Sequence, residues 1–287
     1  MYLINNDCYY FKKINYNSYL FDESICATYI INLVNNGRIN SIENQLELFK
    51  PTKIVYILLN KGYKNCRKND YINTSSLDLV DAFLTIFKHS KNNNHKNILI
   101  LEDDFFFNNQ INNLLIRNYI NNFIKKKEIE EFIYVLGCIP YLQIPYDDFS
   151  NILLLSTGTH SCIYSSKFID KTLLLKNNHI KDWDVYTNFN SKRYIYKESL
   201  CYQLFAETEN SKIWEKYYFN SGYILRKIFI SLELDKKIYP GYTFFYNFSK
   251  ILFYIIFILL FIIFILLFKF IYHKNIDLKK NILKIKK

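Results

Sequence analysis

The sequence predicts an α/β fold, a mainly parallel sheet sandwiched by helices, followed by one C-terminal transmembrane helix. Three observations predict it. Continuous apolar runs of strand length alternate with segments of helical period. One of those runs ends abruptly in three acidic residues, Glu102-Asp103-Asp104. Residues 251–268, ILFYIIFILLFIIFILLF, are eighteen apolar residues without a charge.

The elements follow in order. Residues 1–24 are expected to form an N-terminal extension outside the domain. ATYIINL (27–33) is a compact apolar run of the kind buried on both faces of a sheet. From 38 to 49, apolar residues at 39, 42, 46 and 49 mark one face of a helix. KIVYILLN (53–60) is a second, β-branched strand. Residues 77–87 predict a helix that Ser75 or Ser76 can cap, with Asp78 favourable in its first turn. NILILEDD (97–104) is a third strand, 114–124 a helix and EFIYVLG (131–137) another strand. Residues 25–220 then make one domain, 221–250 a membrane-proximal segment, 251–272 the span and 273–287 a basic tail.

Eighteen residues of helix span about 27 Å, close to the hydrocarbon thickness of a bilayer. Phe270, Ile271 and Tyr272 can extend the span, with Lys269 reaching back to the headgroups. Its orientation is argued two ways. Seven Lys after residue 268 favour a cytosolic tail. The N-terminus shows no basic region followed by an apolar core, and a span this near the C-terminus inserts after synthesis of what precedes it. The second argument sets the expectation: a single-pass membrane protein whose domain faces the cytosol.

Composition narrows the classes further. Half of the 287 residues are apolar and 18% are aromatic, which excludes a disordered chain. Of the net charge of +11, +7 falls between residues 250 and 287, as eight Lys against one Asp, leaving +4 on the rest. The domain therefore lacks the basic surplus of a nucleic-acid binder, and no nucleic-acid partner is expected. Six cysteines, at 8, 26, 66, 138, 162 and 201, form no CxxC or CxH pair, which argues against structural zinc. They are expected to be reduced thiols.

The acidic strand end carries the chemistry. A buried strand delivers Glu102, Asp103 and Asp104 to the C-terminal sheet edge, where open α/β folds bind ligands. Adjacent carboxylates repel one another, and a divalent cation relieves that repulsion. Side chains two apart on a strand point the same way, so Glu102 and Asp104 can share one ion. Taken alone, such a triplet is more often an acidic loop or helix cap. A single His such as His160, a lone Arg such as Arg38, and the run Lys61, Lys64, Arg67 and Lys68 are likewise more often structural or solvated.

Read in order, YIINLVNNGR (29–38), NKGYKNCRK (60–68), ILILEDDFFF (98–107), TGTHSCIYSSKFIDKTLL (157–174), DWDVY (182–186) and CYQLFAETENSKIW (201–214) resemble the glycosyltransferase family 25 type and related glycosyltransferases of large DNA viruses. The resemblance covers roughly residues 25–215. It implies a GT-A fold, a nucleotide-sugar donor, and an acceptor hydroxyl on a glycan, a lipid-linked sugar or a protein. It places Glu102 and Asp104 on Mn²⁺ (or Mg²⁺), with Asp103, Asn32, Arg38 and His160 near the donor. It makes Asp182 or Asp184 the catalytic base or acceptor-binding residue, and gives Trp183 a sugar to stack on. The alternative is a catalytically silent relative serving as a membrane-tethered binding module. Two departures stand out: His89 falls late in the helix before the acidic strand, and Glu198-Ser199 replace the usual Pro before Gln203.

Overall fold

In the computed structural model, residues 7–175, 179–204 and 221–285 are described. Seven strands form the central sheet: β1 (Tyr9–Asn15), β2 (Ala27–Leu33), β3 (Ile54–Asn60), β4 (Ile98–Glu102), β6 (Ile133–Pro145), β7 (Ser150–Tyr164) and β8 (Arg193–Tyr196). Their order is β1-β3-β2-β4-β7-β6-β8. β2 pairs in parallel with β3 and β4, and β6 with β8, whereas β1 and β7 run against their neighbours. The sheet is thus mixed, mostly parallel, with two reversed strands that apolar patterning did not reveal. β5 (Phe105–Phe107) and β9 (Cys201–Gln203) make a small antiparallel sheet beside the tip of β4.

Alternation builds the two cores. Tyr29 and Ile31 of β2 face one apolar cluster while Ile30 faces the other. The first cluster receives α2 (Ser75–Asn92), α4 (Ser166–Leu173) and α5 (Trp183–Asn190). The second receives α1 (Ile39–Phe49) and α3 (Leu114–Lys126). Phe83, Ile86 and Phe87 of α2 are buried, each contributing about 1.5–3 kcal/mol relative to exposure. The cap of α2 is Thr74, whose hydroxyl accepts from Leu77 N at 3.3 Å, rather than Ser75 or Ser76.

Two expectations fail here. Tyr9–Asn15 is no extension: β1 pairs along its whole length with β3. The membrane-proximal segment is partly built into the domain. After α6 (Ser221–Ser231), the long helix α7 (Gly241–Ile285) begins inside the domain, where Tyr242, Tyr246 and Ser249 are buried. Finally, the thiols are not all reduced. Cys8 and Cys66 form a disulfide, with Cα atoms 5.6 Å apart, while Cys26, Cys138, Cys162 and Cys201 are free. The crosslink became visible only when β1 was laid beside β3. Within α7, residues Gly241–Lys274 are long and apolar enough to cross a membrane, and the apolar stretch is exposed on all sides.

Candidate active site

β2 and β4 are parallel neighbours, with Ile31 opposite Glu102, so both deliver their C-terminal ends to one edge. Beyond Leu33 the chain turns through Asn35, which adopts the left-handed region (φ 68°), before α1 begins. That turn wraps around Asp103. Its carboxylate accepts from Leu33 N at 3.3 Å, from the Asn36 amide and from the Arg38 guanidinium. Arg38 also lies 3.4 Å from Asp104. Asp103 and Arg38, expected near the donor, hold each other here and fasten the β2–α1 turn to the end of β4.

The flanking acids are left differently. Asp104 is 9% exposed, and its Oδ1 is buried without a hydrogen-bond partner. Its carboxyl is pushed up to about 7, first by burial and then by Asp103, against the lowering effect of Arg38. Burial raises the Glu102 carboxyl well above the usual range, and Asp104, Asp184 and Asp103 raise it further. Asn32, at the end of β2, is buried with Oδ1 unpartnered. Most buried polar atoms in proteins are paired, so the unpaired oxygens of Asn32 and Asp104, on neighbouring strand ends, are departures from the rule.

The second acidic group belongs to α5 and β7. Asp182 caps α5, accepting from Val185 N at 2.9 Å, with Ser76 Oγ 3.5 Å from its other oxygen. Burial raises its carboxyl. Asp184 is occupied on both oxygens. Gly158 N donates at 2.8 Å, Thr157 Oγ1 at 3.3 Å, Thr159 N at 3.4 Å, and the Thr159 hydroxyl donates as well. Gly158 has φ 61°, a conformation a side chain strains, and it turns the strand so that its N–H reaches Asp184. One of these two aspartates was expected as the base or acceptor-binding residue; the fold gives their oxygens capping and clamping duties. Asp184 nonetheless lies close enough to Glu102 to raise that carboxyl.

The remaining residues singled out in the sequence are placed as follows. His160 is 1% exposed, with Nδ1 on Gly158 O at 2.8 Å and Nε2 unpartnered. Burial pushes its imidazole down to about 4, so it is neutral at physiological pH. Trp183 is a core residue: it stacks on Phe83 at 4.2 Å and its indole N–H donates to Tyr164 OH at 2.9 Å. Lys68 is buried rather than solvated, bound to Asp78, to Asn60 at 2.9 Å and to Tyr9 OH at 2.5 Å. Gln203 covers the bulge of β7, where a Cβ on Gly158 would meet its amide at 3.5 Å. The rest of that motif, from residue 205 onward, lies outside the described residues.

The edge therefore gathers Asn32, Arg38, Glu102, Asp103, Asp104 and Asp184, and leaves Asp182 as a cap and His160 inside. Asn36, Thr157 and Thr159 position these groups and were missed; the turn-forming run Asn35-Asn36-Gly37 was the available signal for the first. Among the described residues no group of three or more His, Cys, Asp or Glu is arranged to hold a metal ion. One hollow of about 630 Å³ lies instead at the opposite sheet end, beside Cys26 and Asn97, and another of about 200 Å³ between Lys197 and Lys250.

No family model matches the chain, and no curated protein sequence is significantly similar to it. Among solved structures it is distantly similar to A197 from STIV, at 12% identity over 64% of this chain and 86% of that one, with a TM-score of 0.37. It is also distantly similar to a glycosyltransferase involved in the glycosylation of the major capsid of PBCV-1. There the identity is 8% over 65% of this chain and 96% of that one, with a TM-score of 0.39.

Proposed function

We propose that the protein is a membrane-anchored, metal-dependent glycosyltransferase that moves a sugar from a nucleotide donor to a hydroxyl of a glycan, a lipid-linked sugar or a protein. The observation that carries the reading is the pair Glu102 and Asp104, two mutually repelling carboxylates at the C-terminal sheet edge, one with a buried oxygen that nothing satisfies. Two carboxylates suit a divalent ion whose remaining ligands are water and substrate phosphate. Bound there, Mn²⁺ or Mg²⁺ would supply Lewis-acid neutralisation of a nucleoside diphosphate leaving group. Asp103, Arg38 and Asn36 keep the β2–α1 turn closed against the pair. Asp184 holds the Gly158–Thr159 backbone beside Glu102 as a positioning residue. The ordered motifs from residue 29 to residue 203 support the same reading.

Calorimetry of the full chain with uridine and guanosine diphosphates, with and without Mn²⁺, tests it beside donor turnover. Metal-dependent binding and turnover are expected, and Asp104→Ala should lower both by about 100-fold. Equal behaviour of wild type and Asp104→Ala sinks the proposal. Binding without turnover selects the silent binding module, which the occupied carboxylates of Asp182 and Asp184 favour.

The same reading covers location. A disulfide persists in an oxidising compartment, and a Lys-rich tail stays in the cytosol. Both favour a domain on the non-cytosolic face, opposite to the orientation expected from the sequence. Protease added to sealed vesicles should leave the domain protected and trim the tail; the reverse pattern restores the cytosolic domain.

A further inference from the structure

α7 and β6 descend together. Near the acidic edge, Gln203 N donates to Tyr242 OH at 3.3 Å, and the Gln203 amide sits against Gly158, whose neighbour Thr157 pairs with Ile139 of β6. Lower down, Gln143 Nε2 donates to Ser249 Oγ at 2.7 Å. From Ile139 to Gln143 the strand rises about 13 Å, and from Tyr242 to Ser249 the helix rises about 10 Å. The strand and helix therefore run side by side toward the apolar stretch that starts at Ile251, two residues beyond Ser249. Past Gln143, β6 continues to Pro145, and the hairpin turns at Tyr146-Asp147-Asp148-Phe149 before β7 returns. The tip lies near the start of the apolar stretch, because Lys197 links Phe149 to Lys250.

The tip is tied to the helix and built for a wet–dry boundary. Lys250 Nζ donates to Lys197 O at 3.0 Å, Lys197 N donates to Phe149 O at 2.8 Å, and the Lys197 ammonium lies 4.7 Å from the centre of the Phe149 ring. Tyr146 and Phe149 remain 38% and 41% exposed. The Asp147 carboxylate is taken up by Tyr119 OH at 2.7 Å and by the N–H groups of Phe149 and Ser150. Exposed aromatic rings beside lysines are the side chains that settle at headgroup level.

We infer that the β6–β7 hairpin tip, through Tyr146 and Phe149, rests in the headgroup layer of the bilayer as a second contact beside α7. The inference rests on reading α7 as a membrane span. Asp147 and Asp148 lie in the tip beside Lys197, whose Nζ donates to Asp148 O at 3.4 Å, and with Lys250 the charges balance, so zwitterionic lipid suffices.

The test places one tryptophan at a time in the full chain, reconstituted in phosphatidylcholine vesicles brominated near the headgroup end of the acyl chains. The wild-type signal is subtracted. Phe149→Trp and Tyr146→Trp should each lose about a third of the added fluorescence, as an interfacial side chain does. Tyr10→Trp, on the far sheet edge, should lose none, and Phe257→Trp, within α7, should be quenched most. Quenching at Phe257→Trp with none at either tip position overturns the tip contact while leaving the span intact. No quenching at Phe257→Trp overturns the span reading itself. A blue-shifted but unquenched tip signal means that protein, such as a second copy, covers it, and also overturns the inference.

Discussion

Asp104 and Asp184 are both aspartates at the same sheet edge, yet one keeps a buried oxygen with no partner while the other meets four donors. The β4 tip concentrates negative charge faster than Arg38 can neutralise it. The β7–α5 corner surrounds its charge with hydroxyls and N–H groups from its own bulge. The difference teaches where to look for a ligand. A satisfied carboxylate is architecture, and an unsatisfied one beside like charges is where the proposed cation is to be sought.

Three substitutions sharpen or break that contrast. Arg38→Met removes the cation that, among the described residues, pairs with Asp103 and Asp104, and should cost about 3 kcal/mol of unfolding free energy in urea. A cost near zero means that Arg38 is not what holds the tip together. Asp184→Asn turns an amide toward donors that need an acceptor, and should cost about 2 kcal/mol in the same assay. Asp104→Asn should act in the opposite direction, raising the melting temperature at pH 8 by the equivalent of about 1 kcal/mol.

The sign of that last effect follows from linkage. Burial and Asp103 raise the Asp104 carboxyl to about 7, so the folded state holds its proton more tightly than the unfolded chain does. The charged form costs stability above that value. The advantage of Asn should therefore shrink as pH falls from 7 toward 4 and vanish below the ordinary carboxylate range. Mn²⁺ should stabilise wild type more than Asp104→Asn at pH 8. Should Asp104→Asn destabilise as Asp184→Asn does, the two acids are alike and the contrast is wrong.

Much of the scaffold was legible. β2, β3 and β4 were readable because each is a continuous apolar run, as strands covered on both faces must be. β1 was not, because Lys12-Lys13 interrupts the alternation of its edge-strand sequence and only pairing with β3 identifies it. The reversed direction of β7 was equally hidden, since side-chain period is the same in either sense. At the site, the acidic cluster could be seen in the sequence, but which acid keeps an unpartnered oxygen could not.

By itself the sequence determined what depends on neighbours along the chain. It set the period of each element, the abrupt acid after β4, and the apolar length of α7. The tertiary structure decided what depends on distant partners. Arg38 closes on Asp103 across 65 positions, Thr159 reaches Asp184 across 25, and Cys8 bonds Cys66 across 58. Periodicity is a local property that any stretch of chain carries with it. Whether a buried charge is satisfied depends on which groups the folded sheet brings within about 3 Å.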